Sequence, residues 1–132
     1  MSTIFSKIIS GEIPCYKIAE SATCFAFLDV SPLAKGHTLV VPKLEKDYIF
    51  DIEDELHADL WQFAKKISIA VKAGVPCKRI GVAVIGLEVP HAHIHLIPMN
   101  KVSDMNFAMP KLSFSKEDME ATAEAIRKNI TF

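Results

Sequence analysis

The stretch His91-Ala92-His93-Ile94-His95-Leu96-Ile97-Pro98 decides how this chain is read. Three histidines alternate with Ala92, Ile94 and Leu96 at a period of two. Strand side chains point alternately to opposite faces, so this period predicts a β-strand over Val89–Pro98 with its imidazoles on one face and its apolar residues in the core. Successive imidazoles on that face are anchored roughly 6.5–7 Å apart. Packing does not require three imidazoles side by side, but two chemistries use them. His-x-His on a strand can hold zinc. An imidazole, with an ordinary pKa of about 6.5, is also a good nucleophile at neutral pH, and its phosphoryl adduct is labile enough for water to complete a hydrolysis. Neighbouring imidazoles then bind the phosphate oxygens or protonate the leaving group.

The other elements are read outward from this strand. Arg79–Ile85 is a preceding apolar strand. Before it, Leu56, Leu60, Phe63, Ile67 and Val71 recur at spacings of three and four, which predicts one long helix. Asp51 is its expected cap, and Gly74 followed by Pro76 its stop. Thr38–Val41 is a short buried strand ended by Pro42, and Asp29–Gly36 is a loop punctuated by Pro32 and Gly36. Lys17–Glu20 and Cys24–Leu28 are two strands around a turn at Ser21-Ala22. Ser2 or Thr3 caps a short opening helix whose Ile4, Phe5, Ile8 and Ile9 share a face, and Gly11 then Pro14 end it. Residues 99–114 form a long connection with Met105, Phe107 and Met109, and Ser115–Asp118 fits a capping box for a last helix to about Asn129. Strand pairs on both sides of the long helix, without β-α alternation, predict an α+β fold with a mainly antiparallel sheet of about five strands.

Composition narrows the function. The chain has 132 residues, 50% hydrophobic and 23% charged, which suits one folded domain over 1–132. The net charge is −1 and the basic residues are scattered, which argues against a nucleic-acid polymer and for a small-molecule partner. Cys15, Cys24 and Cys77 form no CxxC, an odd and sparse set that reads as reduced thiols. With neither a signal peptide nor an apolar stretch long enough for a membrane span, a cytoplasmic protein away from membranes is expected.

The sequence resembles the histidine triad (HIT) family, Hint-like branch. The triad carries the resemblance, together with the blocks Ile4–Pro14, Phe25–Pro32 and Gly36–Lys43. The resemblance implies an enzyme that hydrolyses nucleoside monophosphate derivatives, such as phosphoramidates of a purine nucleotide, at the α-phosphorus. It implies His93 as the nucleophile that forms a nucleotidyl intermediate, oriented by a backbone carbonyl near His91. His95 then sits on the phosphate or leaving group, and His37 supports the triad. Asp29 accepts from the ribose hydroxyls, and Ile4, Phe5, Ile8, Phe27 and Val30 clamp the base. Backbone amides at Leu87, Glu88 and Val89 bind phosphate, with Gly86 letting the chain approach. The resemblance further implies a homodimer whose sheet continues across the interface. Residues 99–132 form a C-terminal extension, and segment 99–114 is a candidate to reach over a site. No cofactor and no structural zinc are expected, since the segment Phe5-Ser6-Lys7 carries no CxxC.

The approach to the triad, Val84-Ile85-Gly86-Leu87-Glu88-Val89-Pro90, departs from the family pattern. Leu87 stands where Gln is usual and Pro90 where an aromatic is common. Two alternatives therefore stand beside the enzyme: a histidine-rich metal-binding protein, and a nucleotide-binding module with little catalysis.

Overall fold

The computed structural model describes residues 2–132. Its elements run α1 (Ile4–Ser10), β1 (Lys17–Glu20), β2 (Cys24–Leu28), β3 (Thr38–Pro42), α2 (Asp54–Gly74), β4 (Arg79–Ala83), β5 (Ile94–Met99) and α3 (Lys116–Arg127). The five strands form one antiparallel sheet in the order β1-β2-β3-β5-β4, the α+β architecture expected. No helix among the described residues is long and apolar enough to cross a membrane.

The two faces of the sheet are covered differently, and this places the site. Cys24, Ala26 and Leu28 of β2, Val40 of β3, and Ile94 and Leu96 of β5 pack with Leu60, Phe63, Ile67 and Val71 of α2 and with Met119, Ala123 and Ile126 of α3. The alternate residues Phe25, Phe27, Leu39 and Val41 form a second, smaller cluster with Phe5 of α1. The register Leu39↔His95 and Val40↔Ile94 puts His95 on this second face, beside Leu39. Central strands buried on both faces explain the near-continuous apolar runs of β2 and β3.

A seven-residue helix is marginal in isolation, so tertiary contacts must hold α1. Phe5 buries its ring in the second cluster, an effect of about 1.5–3 kcal/mol. Thr3 is the N-cap, its hydroxyl accepting from the Ser6 amide, and Gly11 ends the helix at φ 87°, a left-handed conformation open to glycine.

Three expected boundaries shift. Asp51 does not cap α2. It closes a 3-10 turn, Ile49–Asp51, while buried Ile49 and Ile52 draw the chain inward, and the helix begins at Asp54 after Glu53. β4 ends at Ala83, because its partner has no ladder beyond Ala83↔His95 and the chain then turns through Gly86 at φ 72°. β5 begins at Ile94 and not at Val89. Pro90 has no N–H to offer a ladder, and the His91 amide turns back to the Val89 carbonyl at 2.8 Å. Cys15, Cys24 and Cys77 are free thiols.

Candidate active site

The four histidines enter from two directions. His37 follows Gly36 into β3, while His91 and His93 lie on the extended approach to β5 and His95 within it. All four are buried. Their hydrogen bonds assign the ring protons, because a carbonyl can only accept and an amide can only donate.

Nε2 of His91 lies 2.8 Å from the Pro42 carbonyl and must carry a proton. Nδ1 of His91 therefore accepts, and the Thr3 hydroxyl at 2.8 Å donates to it. With both nitrogens engaged and no exposure, His91 lies beneath the site, and the three imidazoles do not present one common face to a ligand. Nδ1 of His93 lies 2.7 Å from the His91 carbonyl, so the proton of its neutral ring sits on Nδ1 and the lone pair on Nε2. The Leu33 amide donates to Nδ1 of His37 at 3.0 Å, which leaves Nε2–H of His37 to donate to Nδ1 of His95 at 2.9 Å. The neutral His95 ring then carries its proton on Nε2. An imidazole with a free lone pair thus stands beside one with a free N–H, their ring centroids 4.9 Å apart.

Burial keeps the supporting rings neutral. It holds His37 down at about 3, with His95, Lys111 and His93 adding to the effect. It holds His95 at about 4, aided by His93 and Lys111. His91 is lowered by burial against the opposing pull of its Pro42 bond and Glu45. Asp29 moves the other way, its carboxyl raised by burial although its Oδ1 accepts from the Ser31 amide at 2.8 Å.

Above His91 lies a cavity of about 360 Å³. His93, His95, His37, Asp29, Ile4, Phe5, Glu88 and Val89 line it, as do Gly86 and Leu87. The remaining expected residues do not. Phe27 lies under Phe5, ring centroids 5.6 Å apart, and Ile8 packs against the same cluster. Val30 is 69% exposed on the loop after β2. Phe5 meets His93 edge to face at 5.0 Å, which sets the apolar wall against the free imidazole. Gly86 has open space where a side chain would stand, so its φ of 72°, and not a close approach of the chain, is what calls for glycine.

Sequence reasoning missed four cavity residues. Ser31, Leu39 and Ile85 lie within two positions of residues already singled out, and Lys111 carried no signal in a scattered charge pattern. Phe107, on the segment expected to reach over a site, covers the one in its own chain. Its ring lies 5.0 Å from that of His95 and 6.4 Å from that of His37.

Among the described residues one set of ligands could hold a cation: Asp29, His37 and His95, whose ligand atoms lie within 4.8 Å of one another. Binding there would require the His37–His95 hydrogen bond to open and Nε2 of His37 to lose its proton.

Comparison with known proteins gives the family. Residues 10–102 match the HIT domain, and the chain belongs to that family. Adenosine 5'-monophosphoramidase hnt1 of Schizosaccharomyces pombe is 36% identical over 132 residues, covering 98% of this chain and 99% of the relative. Among solved structures, a Hit-like protein involved in cell-cycle regulation from Bartonella henselae superposes with a TM-score of 0.85 at 31% identity, covering 97% and 96% of the two chains. A Zn-bound histidine triad family protein from Mycobacterium smegmatis gives 0.83 at 26% identity, covering 98% and 94%.

Proposed function

We propose that this protein is a nucleotide hydrolase of phosphoramidase type, cleaving nucleoside monophosphate derivatives at the α-phosphorus through a nucleotidyl-His93 intermediate. The observation that carries the reading is the 2.7 Å bond from Nδ1 of His93 to the His91 carbonyl. It leaves the Nε2 lone pair available for attack, in a ring whose tautomer is held. The Schizosaccharomyces pombe relative named as an adenosine 5'-monophosphoramidase supports the same chemistry.

In this reading Nε2 of His93 forms a bond to the α-phosphorus while the phosphorus–nitrogen bond to the leaving amine breaks. Nε2–H of His95 gives its proton to that amine, and the hydrogen bond from His37 stabilises the ring that remains. Water then attacks the phosphoryl-imidazole, gives a proton back to the deprotonated Nε2 of His95, and releases the nucleotide as its bond to Nε2 of His93 breaks. Backbone amides near Glu88 and Val89 offset charge on the phosphoryl oxygens. Asp29 accepts from the ribose, and the base lies against Ile4 and Phe5. The functional unit is one domain over 1–132, acting in the cytoplasm as a homodimer, with residues 99–132 extending it.

Incubation with an adenosine phosphoramidate should release AMP. Acid-free quenching should capture a mass increase of one AMP moiety on the peptide containing His93. Absence of both turnover and adduct would overturn the proposal.

A further inference from the structure

The cavity has a charge problem if its occupant is a nucleotide. Two carboxylates, Asp29 and Glu88, line it, while His37 and His95 are held neutral by burial. A phosphate entering there meets repulsion from both acids. Ile85, Leu87 and Val89, on the segment leading to the triad, offer no charged side chain. The only lysine or arginine among the described lining residues is Lys111.

We propose that Lys111 binds the phosphate of the nucleotide and is the charged determinant of affinity for it. Two anchors hold it at the cavity. Its Nζ donates to the Phe107 carbonyl at 2.8 Å, and the Phe107 ring rests on His95 and His37. On the other side, the Leu112 amide donates to the Pro32 carbonyl at 2.8 Å, tying the segment to the loop that carries Asp29 and Ser31. Among the described residues Lys111 forms no ion pair, and an ammonium has three donors, so two remain after the Phe107 bond. Its charge is felt at the site, where it adds to the lowering of His37 and His95 and opposes the rise of Asp29 that burial causes. Segment 99–114 is thereby part of the binding site, with Lys111 beyond the end of the matched HIT domain at residue 102.

The inference rests on the nucleotide reading above, and calorimetric titration separates the two. AMP and adenosine are titrated into the wild type, Lys111→Met and Lys111→Arg, at low and high salt. The wild type should bind AMP more tightly than adenosine. Lys111→Met should lose roughly tenfold in AMP affinity, with adenosine unchanged and a weaker salt dependence. Lys111→Arg should keep most of the AMP affinity. A Lys111→Met protein with the wild-type AMP-to-adenosine ratio, through loss of neither or equal loss of both, overturns the assignment of Lys111 while leaving the nucleotide reading intact. A wild type that binds neither compound overturns both.

Discussion

The hydroxyl of Thr3 donates to Nδ1 of His91 across 2.8 Å, joining residues 88 positions apart. The same oxygen caps α1 by accepting from the Ser6 amide. The Ser6 hydroxyl and the Thr3 amide both go to the Glu45 carboxylate, at 2.6 and 3.0 Å. One threonine therefore sets the register of α1, with Ile4 and Phe5, against the histidine whose carbonyl orients His93.

Thr3→Val keeps the shape and removes both bonds. Stability should fall by about 1–3 kcal/mol, from the lost cap and the unpaired Nδ1 of His91. Turnover should fall more than nucleotide affinity, because the reacting ring is affected before the binding contacts. Thr3→Ser should restore both. Urea unfolding and steady-state AMP release check this, and an unchanged unfolding midpoint for Thr3→Val would show that the tie is idle.

His93→Ala should abolish turnover while AMP still binds, because the phosphate and ribose contacts assigned here belong to other residues. Rate assays alongside calorimetry measure the two separately. A variant with normal turnover means that another group attacks phosphorus.

Asp29→Ala should erase a preference for AMP over 2'-deoxy-AMP. Hydrogen bonds from ribose hydroxyls to a carboxylate are worth about 1.5–3 kcal/mol, so a discrimination of roughly tenfold or more should collapse toward unity. Competition binding reads the ratio directly. If the ratio persists in the variant, Asp29 does not hold the ribose.

Stability should decline on mild acidification. His37 and His95 have folded values of about 3 and about 4, against about 6.5 when unfolded. The unfolded chain therefore takes up protons that the folded chain refuses as pH falls below about 6.5. Their contribution is complete above that point and is lost as pH falls toward the folded values. Urea midpoints taken from about pH 7.5 down to about pH 5 should drop, and the drop should be smaller in His37→Gln. A level midpoint in the wild type contradicts the burial argument.

Gly36→Ala should destabilise the protein by about 1–3 kcal/mol. Gly36 has φ 88°, and an added Cβ would lie 2.8 Å from Cγ2 of Val75. The strain falls beside His37, so turnover should decline as well. A thermal unfolding midpoint equal to that of the wild type would show that the turn relaxes at no cost.

Much of the architecture was legible because local periodicity is a physical consequence of which face is buried. The repeat from Leu56 to Val71 forms the inner stripe of α2, and Ala92, Ile94 and Leu96 do reach the main core. Helix ends at Gly11 and Gly74 were likewise readable, since local backbone conformation is encoded locally. Periodicity failed at the approach to β5. It counts side chains but does not register that Pro90 lacks an N–H or that a turn at His91 delays pairing until Ile94.

The chemistry divides along the same line. The residue types were in the chain from the start: alternating imidazoles, a fourth histidine after Gly36, and Asp29 in a matching block. Which nitrogen of His91 and of His95 bears the proton was not, because that depends on partners distant in sequence: Thr3 and Pro42 for His91, and His37 for His95. The arrival of Lys111 at the cavity was equally hidden, since an exposed lysine in a connecting segment has no local pattern to mark it. Hydrogen-bond direction and long-range charge are properties of three-dimensional neighbours, and only the folded chain supplies them.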